Sequence, residues 1–309
     1  MTPILSGRDP DKLNAFGDTH PELEIRVASV DDTASLDRAI SGAAAIINCA
    51  GPFLDTATPV IEAALRARIR YLDVTAEQPA ALAAFEQFAD EAQDAGIVIA
   101  PAMAFYGGLG DLLATAAMGN WTAADEICIA VALDSWQPTL GTRLTGKRNS
   151  GRRFVFSNNK LEFLADPPPL ATWNFLPPFG TQDVVSLPLA EIITISRHLR
   201  TAKIRSYMNL APLNDLRDPE TPAPTAADES GRSAQIFQMD VLARRGNEKR
   251  RATARGRDIY AITAPIIVEA TRRILDGRFK RSEVAAAGAI FDARNFLESL
   301  SPEHLPLEI

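Results

Sequence analysis

Over its first hundred residues the chain alternates short apolar runs with helical stretches, and that alternation leaves few folds open. Apolar runs stand at 3–6, 24–28, 45–49, 70–73 and 97–100. The clearest helical stretch, 79–95, repeats Leu82, Phe85, Ala89 and Ala92 at spacings of three and four, with acids opposite. Buried strands separated by single helices predict a parallel, doubly wound sheet with helices on both faces. The connections are as short as βα units require.

Beyond residue 120 the pattern changes. Segments 127–133, 152–156 and 204–207 read as strands. Segments 236–243 and 250–257 flank the turn Arg245-Gly246-Asn247-Glu248 and predict a hairpin. A helix then carries Ile262, Ile266, Ala270 and Ile274 on one face, with Pro265 tolerable only near its first turn. Two proline-rich stretches, 166–178 and 218–229, read as surface loops without regular structure. The chain therefore divides into a nucleotide-binding domain, 1–120, and an α+β substrate or dimerisation domain, 121–309. The second has a mainly antiparallel sheet, and its C-terminal helices are expected to pack back on the first domain.

Charge and cysteine usage exclude several classes. The net charge is -7 with a pI near 5.2, against the basic balance of a nucleic-acid-binding domain. Cys49 and Cys128 are the only cysteines and form no CxxC, which suits a reducing cytoplasm. No apolar run approaches the ~20 residues that span a bilayer, and the N-terminus lacks signal-peptide character.

The ends of the first-domain strands carry the candidate chemistry. Ser6-Gly7-Arg8 closes the first apolar run, and in a dinucleotide-binding fold the second strand ends at the adenosine ribose. An arginine there suits the 2′-phosphate of NADP(H), because its fork of donors pairs with phosphate oxygens. Lys12, one turn on, would add charge; a solvated basic turn fits the same residues. AAAIINCAGPF ends in Asn48, Cys49, Ala50, Gly51 and Pro52, small residues that let a cofactor approach the backbone or simply make a tight strand–helix turn. IRYLDVTAEQ ends in Asp73, Thr75 and Glu77, although Thr75 also suits a helix cap. In PAMAFYGGLGDLLA the glycines fit a domain junction, and Gly108-Leu109-Gly110 lacks the third glycine of a phosphate-binding fingerprint. His20, His198 and His304 are scattered, no serine has a nucleophile-elbow context, and no metal-ligand spacing such as HExxH occurs. Two basic clusters, Lys147, Arg148, Arg152 and Arg153, and Arg244 to Arg257, read either as solvated charge or as a landing surface for an acidic substrate.

SGRDPDKL, NCAGPF, YLDVTAEQ and PAMAFYGGLGDLLA, in that order, resemble the saccharopine-dehydrogenase-like reductases, a group that includes trans-acting enoyl reductases. The resemblance covers about residues 3–120. It is looser afterwards, through GRDIYAITAPIIVEATRRIL and IFDARNFLESL. It implies a Rossmann-like NADP(H)-binding domain and a second domain that completes a substrate cleft. By position, Arg8 would face the 2′-phosphate, Asn48 to Pro52 would line the cofactor, and Asp73, Thr75 and Glu77 would sit at the cleft mouth. Ser29 stands where the family usually has an aspartate near the adenine.

The family's first strand, glycine-rich loop and first helix have no counterpart in this sequence. A βαβ unit takes roughly 30 residues or more, so the expectation is a late start or a truncated gene, two unpaired strand edges, and weak NADP(H) binding by these residues alone. The expected activity is hydride transfer between NADP(H) and a small or acyl-linked substrate. Tyr106, Asp73 and His198 are the candidate proton donors, and a homodimer is an open possibility. The other reading is a non-catalytic remnant serving as a ligand-binding or dimer-partner module.

Overall fold

The computed structural model describes residues 1–148, 151–301 and 303–309, with the Arg148 side chain outside that description. The chain opens with β1 (Ile4–Gly7), α1 (Pro10–Thr19), β2 (Glu24–Val27), α2 (Thr33–Ile40), β3 (Ala45–Asn48), α3 (Phe53–Ala67), β4 (Arg70–Asp73), α4 (Gln78–Gln87), α5 (Ala89–Ala95), β5 (Ile99–Ala100) and α6 (Gly108–Met118). Then follow β6 (Ala124–Leu133), α7 (Leu140–Arg148), β7 (Phe154–Ser157), β8 (Lys160–Phe163), β9 (Leu170–Asn174), β10 (Thr181–Ser186), α8 (Ala190–Ser196), β11 (Thr201–Asn209), α9 (Ala211–Arg217), β12 (Ile236–Arg245) and β13 (Glu248–Arg257). The chain closes with α10 (Thr263–Leu275), α11 (Ala287–Ile290), α12 (Ala293–Leu300) and β14 (Leu307–Glu308).

Each short apolar run of the first domain is a parallel strand, yet the strands form two sheets. β1 pairs with β2, while β3, β4 and β5 pair in that order. Among the described residues no pairing joins β1 to β3. Strands buried on both faces need their neighbours, and here Val27 and Ile47 stay 53% and 38% exposed. In the strand order 3-2-1-4-5-6 a first strand lies at this seam, so the edges expected from the sequence are present.

The second domain is one mixed sheet in the order β14-β13-β12-β6-β11-β10-β9, with β7 and β8 attached through β11. Only the β6–β11 pair within it is parallel. The hairpin β12–β13 pairs Arg245 with Glu248 around the expected turn. One correction concerns the first proline-rich stretch. It contains β9, which pairs with β10 from Asn174↔Thr181 to Leu170↔Val185, because the prolines lie before and after Leu170–Asn174 and leave its amides free to bond. The helix expected over 79–95 is broken at Phe88, whose φ of -121° ends α4 and opens α5.

Helix α6 is the axis of the molecule. Its Leu109, Leu112, Leu113 and Met118 are buried in a core shared by the large sheet, α10 and α12. A second core gathers α3, α4 and β4. Segment 283–285 returns to the first domain, where Ile99 donates to Glu283 and accepts from Ala285.

The basic hairpin is largely neutralised within the fold. Arg244 pairs with Glu126, Arg257 with Asp228 at 2.8 Å, Arg251 with buried Asp240 and Arg255 with Glu308. Arg245 and Arg250 both stack on Trp121, at 4.4 and 4.3 Å from the ring centre.

Candidate functional site

Asp73, at the end of β4, organises the first-domain loops from below. Its Oδ1 accepts from Thr75 N (2.9 Å) and Ala102 N (2.8 Å), and its Oδ2 from Tyr71 Oη (2.9 Å). The carboxyl is 1% exposed, so it supports the site from within rather than lining its surface. Burial pushes it up to about 6, against the pull of the Ala102 and Thr75 amides and the Tyr71 hydroxyl. Asn48 continues the network, donating to Thr56 and Tyr71 at 3.3 Å and accepting from Ala50 N at 3.0 Å. Asn48 therefore shapes the loop from inside, and Cys49, Ala50 and Gly51 are the parts left exposed.

Thr75 is likewise internal, its hydroxyl accepting from Glu77 N. Glu77 takes the more active place. Its carboxylate accepts from Phe53 N (2.9 Å) and Leu54 N (3.0 Å) and so holds the N-terminus of α3. Next to it, the Gln78 amide bridges the domains, donating to Phe154 O and Leu189 O and accepting from Phe154 N. Replacing Glu77 with glutamine puts an amide donor against a backbone donor. The expected loss is about 2 kcal/mol, read as a lower urea midpoint; an unchanged midpoint would mean the pair of bonds is dispensable.

At the end of β1, Ser6 and Arg8 are exposed, and Gly7 is half-buried against Leu13. Lys12 leans on Asp9 at 3.5 Å. Arg8 makes no ion pair with any described residue, which leaves its guanidinium available to a ligand phosphate. A pyrophosphate is served less well. The N-terminus of α1 is capped by Asp9 and that of α2 by Asp32, while α3 carries Glu77. An anion at any of these would meet a carboxylate already in place. The ribose-phosphate end of a dinucleotide thus fits the residues present, and the pyrophosphate end does not.

Second-domain residues reach Glu77 and Tyr106. Trp136 Nε1 donates to Tyr260 Oη (2.8 Å), which also meets Thr142 Oγ1 (2.9 Å). From α7, Thr145 reaches Glu77 at 3.5 Å. Tyr106, just before α6, lies edge-on to Phe105 and near Trp136. Its phenol is held well above the ordinary range, by burial first and then by Glu191 and Tyr260. His198 belongs elsewhere in the packing. Its Nε2 lies 2.9 Å from Asp111 Oδ2, while Asp111 Oδ1 accepts from Gly288 N, so this pair joins α8, α6 and α11. The sequence brings Tyr106, Arg153 and Glu191 into one electrostatic neighbourhood and leaves His198 outside the groups that bear on Tyr106. Glu191 escaped notice in the sequence; its signal is a single acid inside the apolar run Leu189-Ala190-Glu191-Ile192-Ile193.

A Rossmann-like domain with an α+β partner defines the class: a two-domain α/β chain whose first domain is of the nicotinamide-nucleotide-binding type. Residues 2–100 match the model of the Saccharopine dehydrogenase NADP binding domain. Saccharopine dehydrogenase (L-Glu forming) from Saccharomyces cerevisiae has the same fold, with a TM-score of 0.67 at 10% identity over 99% of this chain and 94% of that one. More distant are an amine dehydrogenase from Mycobacterium smegmatis (TM-score 0.45, 9% identity, 93% and 88% covered) and a probable dehydrogenase from Thermotoga maritima (0.46, 11%, 96% and 86%). No curated protein matches the sequence. Among the described residues no helix is long and apolar enough to cross a membrane.

Proposed function

We propose that the working protein is an NADP(H)-dependent oxidoreductase of saccharopine-dehydrogenase-like type, acting on a small or acyl-linked substrate with a C=N, C=O or C=C group. The match of residues 2–100 to an NADP-binding domain carries this reading. The nicotinamide group would supply the hydride chemistry. The chain's own residues would bind, orient and protonate. Arg8 would hold the 2′-phosphate, and the exposed backbone at Cys49–Gly51 would admit the cofactor closely. Tyr106 would give a proton to the substrate. The two free cysteines suit a reducing, cytoplasmic setting.

A strand lying between β1 and β3, with the turn and helix that follow it, would complete both the sheet and the pyrophosphate cradle. A second reading, a ligand-binding or dimer-partner module without catalysis, draws its support from the three acid-held helix N-termini.

The test uses a protein in which such a strand, turn and helix are present. Arg8→Ala is expected to weaken NADPH at least ~10-fold while moving NADH by less than ~2-fold, because only NADPH offers the phosphate. Equal losses for the two cofactors would remove Arg8 from this role. Tyr106→Phe is expected to lower kcat about 100-fold with little change in cofactor affinity; unaltered turnover would remove Tyr106 as the donor.

A further inference from the structure

Helix α7 is seated the wrong way round for a packed helix. Its leucines are exposed, Leu140 at 72% and Leu144 at 47%, while Thr142, Arg143 and Thr145 are the half-buried residues. A surface helix ordinarily rests on its apolar stripe; this one rests on hydroxyls and a guanidinium. Gly141 and Gly146, two of its nine residues, weaken it further as a helix.

The contacts are firm at one end and slight at the other. Tyr260 Oη accepts from Trp136 Nε1 at 2.8 Å and from Thr139 N at 3.4 Å, which leaves its own proton for Thr142 Oγ1 at 2.9 Å. Thr142 Oγ1 lies 3.1 Å from Thr139 Oγ1, and Arg143 donates to Thr221 O at 2.7 Å and Asp218 O at 3.2 Å. Past Arg143 the hold thins out. Thr145 Oγ1 reaches Glu77 Oε1 at 3.5 Å, the outer limit of a hydrogen bond, and stands 3.7 Å from where a Cβ at Gly51 would be. Nothing lies within 4 Å of the Cβ position at Gly146. The helix is thus pinned near residue 142, and its far end rests at the rim of the exposed Cys49–Gly51 backbone. The carboxylate it touches there is the one that holds the N-terminus of α3.

We propose that α7 is a strap, hinged at Tyr260, whose Thr145 end swings from Glu77 onto a ligand seated on the Cys49–Gly51 backbone and retains it. This rests on the reading that a nicotinamide dinucleotide approaches that backbone. The swing breaks one long hydrogen bond, and because no leucine of α7 leaves a core it carries no hydrophobic cost. The bonds at Tyr260 keep the helix within reach throughout. Tyr260 is thereby a positioning residue: with two donors on its oxygen and its proton on Thr142, it does not share the donor role given to Tyr106.

The strap is tested first without a ligand. In a Cys49→Ser background, Gly51→Cys with Thr145→Cys is expected to form a disulfide under mild oxidation, since Cβ atoms about 4 Å apart suffice. Hydrogen exchange should show the α7 amides opening readily in the reduced protein and slowing at least ~10-fold once the disulfide closes. A pair that does not cross-link, or α7 exchange that the disulfide leaves unchanged, overturns the proposal. The ligand arm uses the protein in which a strand, turn and helix fill the seam between β1 and β3. There the oxidised pair should bind NADPH at least ~10-fold more weakly than the reduced pair, with adenosine 2′,5′-bisphosphate unaffected, because only NADPH extends to the strap. Equal NADPH affinities in the two forms overturn it. Tyr260→Phe should speed NADPH release at least ~10-fold; an unchanged rate removes Tyr260 as the hinge, and this arm decides if Gly51→Cys itself abolishes binding. If the unsubstituted protein binds no NADPH, the cofactor reading fails, and the exchange result by itself decides whether α7 moves.

Discussion

Replacing Gly107 with alanine is expected to destabilise the protein by roughly 3–5 kcal/mol. Gly107 caps α6 at φ +92°, a conformation that an L side chain rarely adopts. A Cβ there would stand 2.6 Å from both the Cβ and the carbonyl oxygen of Ala102. Ala102 cannot yield easily, because its amide is held by Asp73 and its carbonyl accepts from Gly108 N at 2.6 Å. Strain and overlap therefore add. At roughly 2 °C per kcal/mol for a chain of this size, the melting temperature should fall by several degrees. Gly146→Ala, in exposed helix with nothing near its Cβ position, serves as the control and should be neutral or slightly stabilising. If the two variants melted together, the tight Ala102–Gly107 turn would not be what seats α6.

The second large effect is a pH dependence set by Asp73. Its ordinary value is 3.8 and burial raises it to about 6 in the fold, so the folded protein holds the proton more tightly than the unfolded chain. The corresponding stability is fully present below about pH 4 and is lost as pH rises through about 6. The amount is on the order of 3 kcal/mol. Asp73→Asn keeps an oxygen to accept from Thr75 and Ala102 and has no charge to bury. Its stability should therefore lack this fall, making it more stable than the wild type at pH 7 and not at pH 4. Urea unfolding of both proteins at pH 4, 5, 6 and 7 reads the difference, and parallel curves would show that the three hydrogen bonds fully offset burial.

Much of the first domain was legible because its signals are local. An apolar run of four or five residues between amphipathic stretches has few alternatives to a parallel strand, and Asp9-Pro10 announces a helix start by its own chemistry. The β12–β13 turn was legible for the same reason. Strand β9 was not, because proline-rich flanks mask five residues whose pairing depends on distant β10. The roles of Asn48 and Thr75 were also hidden. Their residue types suit ligand contact, while their burial and bonds to Thr56, Tyr71 and Glu77 are tertiary facts. Glu191 and Gln78 show the converse: polar groups far from any motif become central once α8 packs against α6 and α4.

The seam between β1 and β3 bears most directly on what the protein does, and an NADPH titration tests it. The 309-residue chain and the same chain preceded by a strand, glycine-rich turn and helix would be titrated side by side, following nicotinamide fluorescence. Saturable binding by the extended protein, with none by the 309 residues alone below about 1 mM, is the expected result. Micromolar binding by the 309 residues alone would contradict it, because the pyrophosphate would then be held without the strand that the seam calls for.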